Sequence, residues 1–185
     1  MKATCYVAFL RAINVGGRTV RNDQLRELFE ALDLDNVATF IASGNVIFES
    51  RARSARKLEA AIERQLQGAL GFVVDTHLRS FQQLAQIAAY EPFPHIVPRP
   101  DGGSLLVGFM RDPATPDLED AAASLCSDVD ELHVAGRELY WLCRTRLNET
   151  RIPGGMVEKA LRTAMTTRNI NTIRRILAKF GKEPS

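Results

Sequence analysis

The stretch Val37-Ala38-Thr39-Phe40-Ile41-Ala42-Ser43-Gly44-Asn45-Val46-Ile47-Phe48-Glu49 sets two apolar, β-branched runs on either side of a three-residue link. A link that short joins antiparallel neighbours, so residues 37–41 and 45–49 read as a hairpin, with Gly44 available for a positive φ. Upstream, Leu25, Leu28, Phe29 and Leu32 recur at helical spacing, behind Asn22 or Asp23 as an N-cap. Before them residues 4–10, TCYVAFL, form a buried strand. Downstream, Ser54 opens a long helix carrying Leu58, Ile62, Leu66 and Leu70 and ending near Gly71. Phe72-Val73-Val74 begins a further strand, and after His77 the pattern turns helical, with Ser80 as a cap and Phe81, Leu84 and Ile87 on one side. Strand-helix-strand-strand-helix-strand is the split βαβ order of a ferredoxin-like module.

The second half echoes that order. Residues 91–103, EPFPHIVPRPDGG, hold four prolines and two glycines and are expected to be a linker between module 1–90 and module 104–185. Residues 104–110 read as a strand, Thr115-Pro116 as the N-cap and first residue of a helix with Leu118, Ala121, Ala122 and Leu125 inward, and 129–143 as a hairpin turning at Ala135-Gly136. The final forty residues read as helical, with breaks at Pro153-Gly154-Gly155 and around Thr166–Asn169. The expected class is therefore α+β, a ferredoxin-like βαββαβ module followed by a βαββ-type module with C-terminal helices. No residue-level repeat is evident between the halves.

The chain has 185 residues, 24 Lys plus Arg against 22 Asp plus Glu, and 45% hydrophobic residues, the composition of an ordinary folded protein. The formal charge of +2 is a cancellation: residues 91–143 carry 3 basic and 10 acidic groups, and residues 144–185 carry 10 basic and 3 acidic. No run of about 18 apolar residues is present and the N-terminus lacks the pattern of a signal peptide, so the expectation is a cytoplasmic protein without membrane contact. Cys5, Cys126 and Cys143 are odd in number and never paired as C-x-x-C, which points to reduced thiols and to no metal site. His77, His95 and His133 lack the spacing of a metal site and have no partner pattern for catalysis. Asp128, Asp130 and Glu131 read as a solvated acidic edge. Tyr6, Phe9 and Phe48 read as core, and the strand signatures of an RNA-recognition module are absent.

Three motifs stand out: Leu10-Arg11-Ala12-Ile13-Asn14-Val15-Gly16-Gly17, Ser43-Gly44-Asn45-Val46-Ile47-Phe48, and Thr166-Thr167-Arg168-Asn169-Ile170-Asn171-Thr172. In order and spacing they resemble the signatures of the bacterial family called domain of unknown function 1697. Ala12 stands where that family usually has glycine, and Ile170 where it usually has tryptophan. The resemblance implies the fold class and no particular activity, so whether the chain is an enzyme is left open and no cofactor is implied.

The motifs also carry ligand chemistry. Arg11, Asn14, Gly16 and Gly17 have the makings of an anion-holding nest as well as of a strand-to-helix connection. Ser43 and Asn45 suit a tight turn better than a nucleophile, since no G-x-S-x-G or neighbouring histidine supports them. Thr167, Arg168, Asn169 and Asn171 gather more polar groups before a helix than capping requires, and a helix N-terminus attracts phosphate or carboxylate. The resulting expectation is a small anionic ligand held between the halves by these ten residues. The alternatives are a nucleic-acid-associated module using the basic tail, and a scaffold in which acidic middle and basic tail of different molecules pair. Pairing of the two charged segments within one molecule is simpler than the last, and a monomer is the simpler expectation for a chain whose oligomeric state the sequence leaves open.

Overall fold

A computed structural model describes residues 3–41, 44–94, 103–146, 149–152 and 155–181. Packing divides the chain into two units, Met1–Ala85 and Gln86–Ser185. Ala42, Ser43, residues 95–102 of the expected linker, and Pro153 and Gly154 lie outside the described residues.

In the first unit β1 (Thr4–Leu10), α1 (Asn22–Glu30), β2 (Asp35–Thr39), β3 (Asn45–Ser50), α2 (Ala55–Leu70) and β4 (Thr76–Ser80) follow in order, and α3 (Phe81–Ala89) begins in this unit. The antiparallel sheet runs β2-β3-β1-β4. Alternation puts Ala8, Leu10, Val46, Phe48 and Leu78 on one face, where Leu25 and Phe29 of α1 and Leu58, Ile62 and Leu66 of α2 cover them. The Ser54 side chain caps α2 by accepting from Lys57 N, and Gly71 ends it at φ 75°.

The second unit repeats the plan. It holds β5 (Ser104–Met110), α4 (Pro116–Ala123), β6 (Asp130–Ala135), β7 (Glu138–Cys143), α5 (Met156–Leu161), β8 (Met165–Asn169) and α6 (Ile170–Phe180), with sheet order β6-β7-β5-β8. Met110, Leu132, Leu139 and Met165 face Ala122 of α4 and Val157 and Leu161 of α5. The architecture is α+β, two ferredoxin-like modules in tandem.

Three local expectations change. The strand expected at Phe72-Val73-Val74 lies at Thr76–Ser80 instead. There the edge amides of Thr76 and Leu78 find carboxylate acceptors on α2, Glu63 at 2.9 Å and Glu59 at 2.8 Å, while Val73 is exposed. The break expected around Thr166–Asn169 is itself a strand, paired with β5 from Met110↔Met165 to Leu106↔Asn169. The N-cap of α1 is Arg21, which makes no side-chain cap bond, rather than Asn22 or Asp23.

A residue-level echo also exists after all. Val7-Ala8-Phe9-Leu10-Arg11 of the first strand and Val107-Gly108-Phe109-Met110-Arg111 occupy equivalent places, since Val7 pairs with Arg79 of β4 and Val107 with Arg168 of β8. Each of those arginines donates from Nη1 to the carbonyl of the preceding residue, Leu78 or Thr167, at 2.8 Å. The modules diverge at their second helices. α2 has 16 residues and buries Leu78; α5 has 6, and Thr167 at the equivalent place is exposed.

Candidate functional site

The polar cluster before α6 is divided by the strand that contains it. Thr166 is buried and its hydroxyl accepts from Arg168 Nη1 at 2.9 Å. Arg168 is half-buried on the sheet, and loss of water lowers its pKa from the ordinary arginine range to about 10, so it remains charged at neutral pH. Its guanidinium serves the strand. Asn169 is the N-cap of α6 and accepts from Asn171 N at 2.9 Å. Capping thus uses one side chain, and the amide side chain of Asn171 stays exposed at the first turn.

Beside that turn the second unit has a cavity of about 520 Å³. Its floor is apolar, formed by Leu105 and Leu142, which are register partners on β5 and β7. The start of α6 forms one wall with Asn169, Asn171 and Arg174. Arg174, one turn into the helix, makes no ion pair among the described residues. Arg144 follows Leu142 on the same face and is ion-paired to Glu131. Tyr90 and Phe93 form the opposite wall, and Glu91 reaches the rim.

The aromatic wall is anchored from behind. Tyr90 Oη lies 2.8 Å from His133 Nε2, the two rings stack at 5.9 Å, and the Tyr140 ring lies 5.0 Å from Tyr90. Phe93 meets His133 edge-on at 6.4 Å. A helix N-terminus, an arginine with no carboxylate partner among the described residues, an apolar floor and fixed aromatic rings together make a concave site with one cationic side, of the size that small-molecule sites usually have.

Among the residues singled out in sequence, Asn169 and Asn171 line this cavity, whereas Thr167 and Arg168 do not. Arg11, Asn14, Gly16, Gly17 and Asn45 belong to the first unit. There Arg11 pairs with Asp75 at 3.4 Å, and Asn14 Oδ1 accepts from Val20 N at 2.8 Å, closing the loop that Gly16 and Gly17 turn with φ of 61° and 80°. Asn45 is buried and closes the hairpin, donating from Nδ2 to Phe40 O at 3.0 Å, while its own carbonyl accepts from Phe40 N. Ser43 lies outside the described residues. Sequence reading missed Arg174, Arg144, Tyr90 and Phe93. Strand alternation from Tyr140 through Leu142 to Arg144, and the i, i+3 spacing of Asn171 and Arg174, were the available signals.

Among the described residues no group of three or more His, Cys, Asp or Glu side chains is placed to hold a metal ion, and no helix is long and apolar enough to cross a membrane. The acidic and basic segments do meet within the second unit, through Arg144 with Glu131 and Arg151 with Asp128, the latter at 3.1 Å.

A family model described as "Protein of unknown function (DUF1697)" matches residues 3–140. A solved structure, that of the conserved bacterial protein SP0830 from Streptococcus pneumoniae, superposes with a TM-score of 0.77 at 21% identity, covering 98% of this chain and 100% of that one. At that identity the likeness is one of fold. No curated protein matches the chain.

Proposed function

The chain belongs to the DUF1697 family of proteins of unknown function, and from that premise we propose that its second unit binds a small anionic ligand, bearing phosphate or carboxylate, in the cavity at the start of α6. The observation that carries this reading is Arg174, a guanidinium with no ion-pair partner among the described residues, on the wall of a cavity of about 520 Å³ that also receives the first turn of an eleven-residue helix. The partial positive charge of that turn and a charge-assisted hydrogen bond from Arg174 act on the same group. One such bond contributes about 1.5–3 kcal/mol net and the helix terminus about 0.3–1 kcal/mol, which together correspond to a dissociation constant of about 1–50 mM for a bare anion. Arg144 also lines the cavity, its charge already balanced by Glu131. No reaction is assigned to the site.

Calorimetric titration of the full chain with inorganic phosphate and with acetate tests the reading. Arg174→Gln is expected to weaken binding tenfold or more with the fold intact by circular dichroism; equal binding by both proteins contradicts it. The competing reading, nucleic-acid binding by the basic tail, loses support because Arg144 and Arg151 are engaged by Glu131 and Asp128. It predicts DNA or RNA binding that falls steeply with salt.

A further inference from the structure

The cavity's remaining surface says what the anion is attached to. This step rests on the anion-binding reading above and extends it from the acidic group to the body of the ligand.

A free phosphate or carboxylate fills a small part of about 520 Å³, and much of the rest of the described lining is apolar or aromatic. Leu105 and Leu142 make the floor apolar. Tyr90 and Phe93 face the space with rings. A tyrosine usually offers both a ring and a polar handle, but the Tyr90 hydroxyl is engaged by His133 Nε2 at 2.8 Å. What Tyr90 presents to the cavity is therefore its ring. Tyr90 is 41% exposed although anchored by a hydrogen bond and by Tyr140 and His133, which makes its ring a rigid platform with one open side. A rigid aromatic surface stacks on a planar unsaturated body at little cost in side-chain entropy.

The charges set the number of acidic groups. Arg144 is neutralised by Glu131, Arg174 has no ion-pair partner among the described residues, and Glu91 of the lining carries a negative charge of its own. One acidic group is matched at Arg174. A second or third would meet Glu91 without a further unpaired cation among the described lining residues to balance it.

We infer that the ligand of the second unit is a planar aromatic or heteroaromatic compound carrying a single acidic group, with its ring against Tyr90 and its acid at Arg174 and the first turn of α6. Two sources share that chemistry, aromatic carboxylates and nucleoside monophosphates.

The test measures binding of the full chain to four probes: inorganic phosphate, benzoate, adenosine monophosphate and adenosine triphosphate. The expected ranking places benzoate, adenosine monophosphate or both at about three- to tenfold tighter than inorganic phosphate, the range that aromatic stacking supplies. Whichever ringed probe leads identifies the source. The triphosphate is expected to bind no better than the monophosphate. Tyr90→Leu is expected to remove the preference for rings while leaving phosphate binding unchanged, and Tyr90→Phe, which loses the His133 contact but keeps the ring, to retain most of it. Arg174→Gln is expected to weaken binding of every probe tenfold or more. If phosphate binds in an Arg174-dependent way and rings add nothing, or if the triphosphate binds tightest, this inference is overturned and the simpler anion site stands. If no probe binds, both fall.

Discussion

Removing the Asp130 carboxylate is expected to cost the second unit much of its stability, and the only tryptophan of the chain reports it. Asp130 is fully buried at the start of β6. Its Oδ1 accepts from Trp141 Nε1 at 2.8 Å and from Thr150 Oγ1 at 2.7 Å, and its Oδ2 from Arg151 N at 3.1 Å. The carboxylate thus ties the segment after β7 back to the first strand of its hairpin. Hydrogen bonds to a charged acceptor contribute about 1.5–3 kcal/mol each, but Thr150 and Arg151 lie near the surface and regain water when the acceptor is lost. Counting about 2 kcal/mol for the tryptophan bond and about 1 kcal/mol for the other two together, Asp130→Ala is expected to cost about 3 kcal/mol. Asp130→Asn keeps one acceptor oxygen but turns an amide donor toward another donor, and about half that cost is expected. Asp128→Ala breaks only the exposed pair with Arg151 and should cost less than about 1 kcal/mol. Urea unfolding followed by tryptophan fluorescence and circular dichroism measures all three. For Asp130→Ala the native emission shifts to longer wavelength and the midpoint falls at unchanged slope. A loss below about 1 kcal/mol, or no change in emission, refutes the assignment of Asp130 as the tie.

Gly44→Ala places a Cβ 3.1 Å from the Cβ atoms of Leu10 and Ile13 at φ 68°. Left-handed strain and crowding together are expected to cost about 2–4 kcal/mol in chemical unfolding. Ala12 is a non-glycine residue at φ 62°, and Ala12→Gly, which relieves that conformation, is expected to stabilise the chain by about 0.5–1 kcal/mol on the same assay. Cys5 is held as a thiol by burial, and secondarily by Glu49, with its pKa raised to about 11, while Cys126 is exposed and Cys143 buried. Iodoacetamide at pH 8 is expected to label Cys126 first by peptide mass spectrometry. Because the folded pKa of Cys5 lies above the ordinary 9.0, its contribution to stability is complete below about pH 9 and is lost as pH rises toward 11. A Cys5→Ala variant should therefore lose less stability than the wild type across that window.

Elements that obey a strong local rule were legible in the sequence. α2 announces itself by Ser54, a four-leucine-or-isoleucine stripe and Gly71; the 130–143 hairpin by alternation; and α4 by Thr115 followed by Pro116. β4 and β8 were not, because Thr76-His77-Leu78-Arg79-Ser80 and Met165-Thr166-Thr167-Arg168-Asn169 are polar strands. Their edge amides depend on carboxylates of the helix before them: Glu59 and Glu63 of α2 accept from β4, and Glu158 of α5 accepts from Met165 N of β8 at 2.9 Å. The same strands misdirected the reading of the site. Thr166 and Arg168 looked like surplus ligands at a helix start and instead serve the sheet, while Asn169 and Asn171 do reach the cavity. The repeat of Val-x-Phe-x-Arg at positions 7 and 107 was in plain view, but five residues a hundred apart carry meaning only once the strand registers match. The aromatic wall was illegible because Tyr90, His133 and Tyr140 come from three separate elements.

Amide chemical shifts of the isotope-labelled full chain, followed during titration with inorganic phosphate, test the anion site most directly. The amides of Ile170 to Arg174, with Ser104 and Leu105 of the same cavity, are expected to move together with one dissociation constant of about 1–50 mM, and Arg174→Gln to weaken that response tenfold or more. Shifts confined to the loop of Arg11 to Gly17, or an unchanged response in the Arg174→Gln variant, would contradict a site at the start of α6.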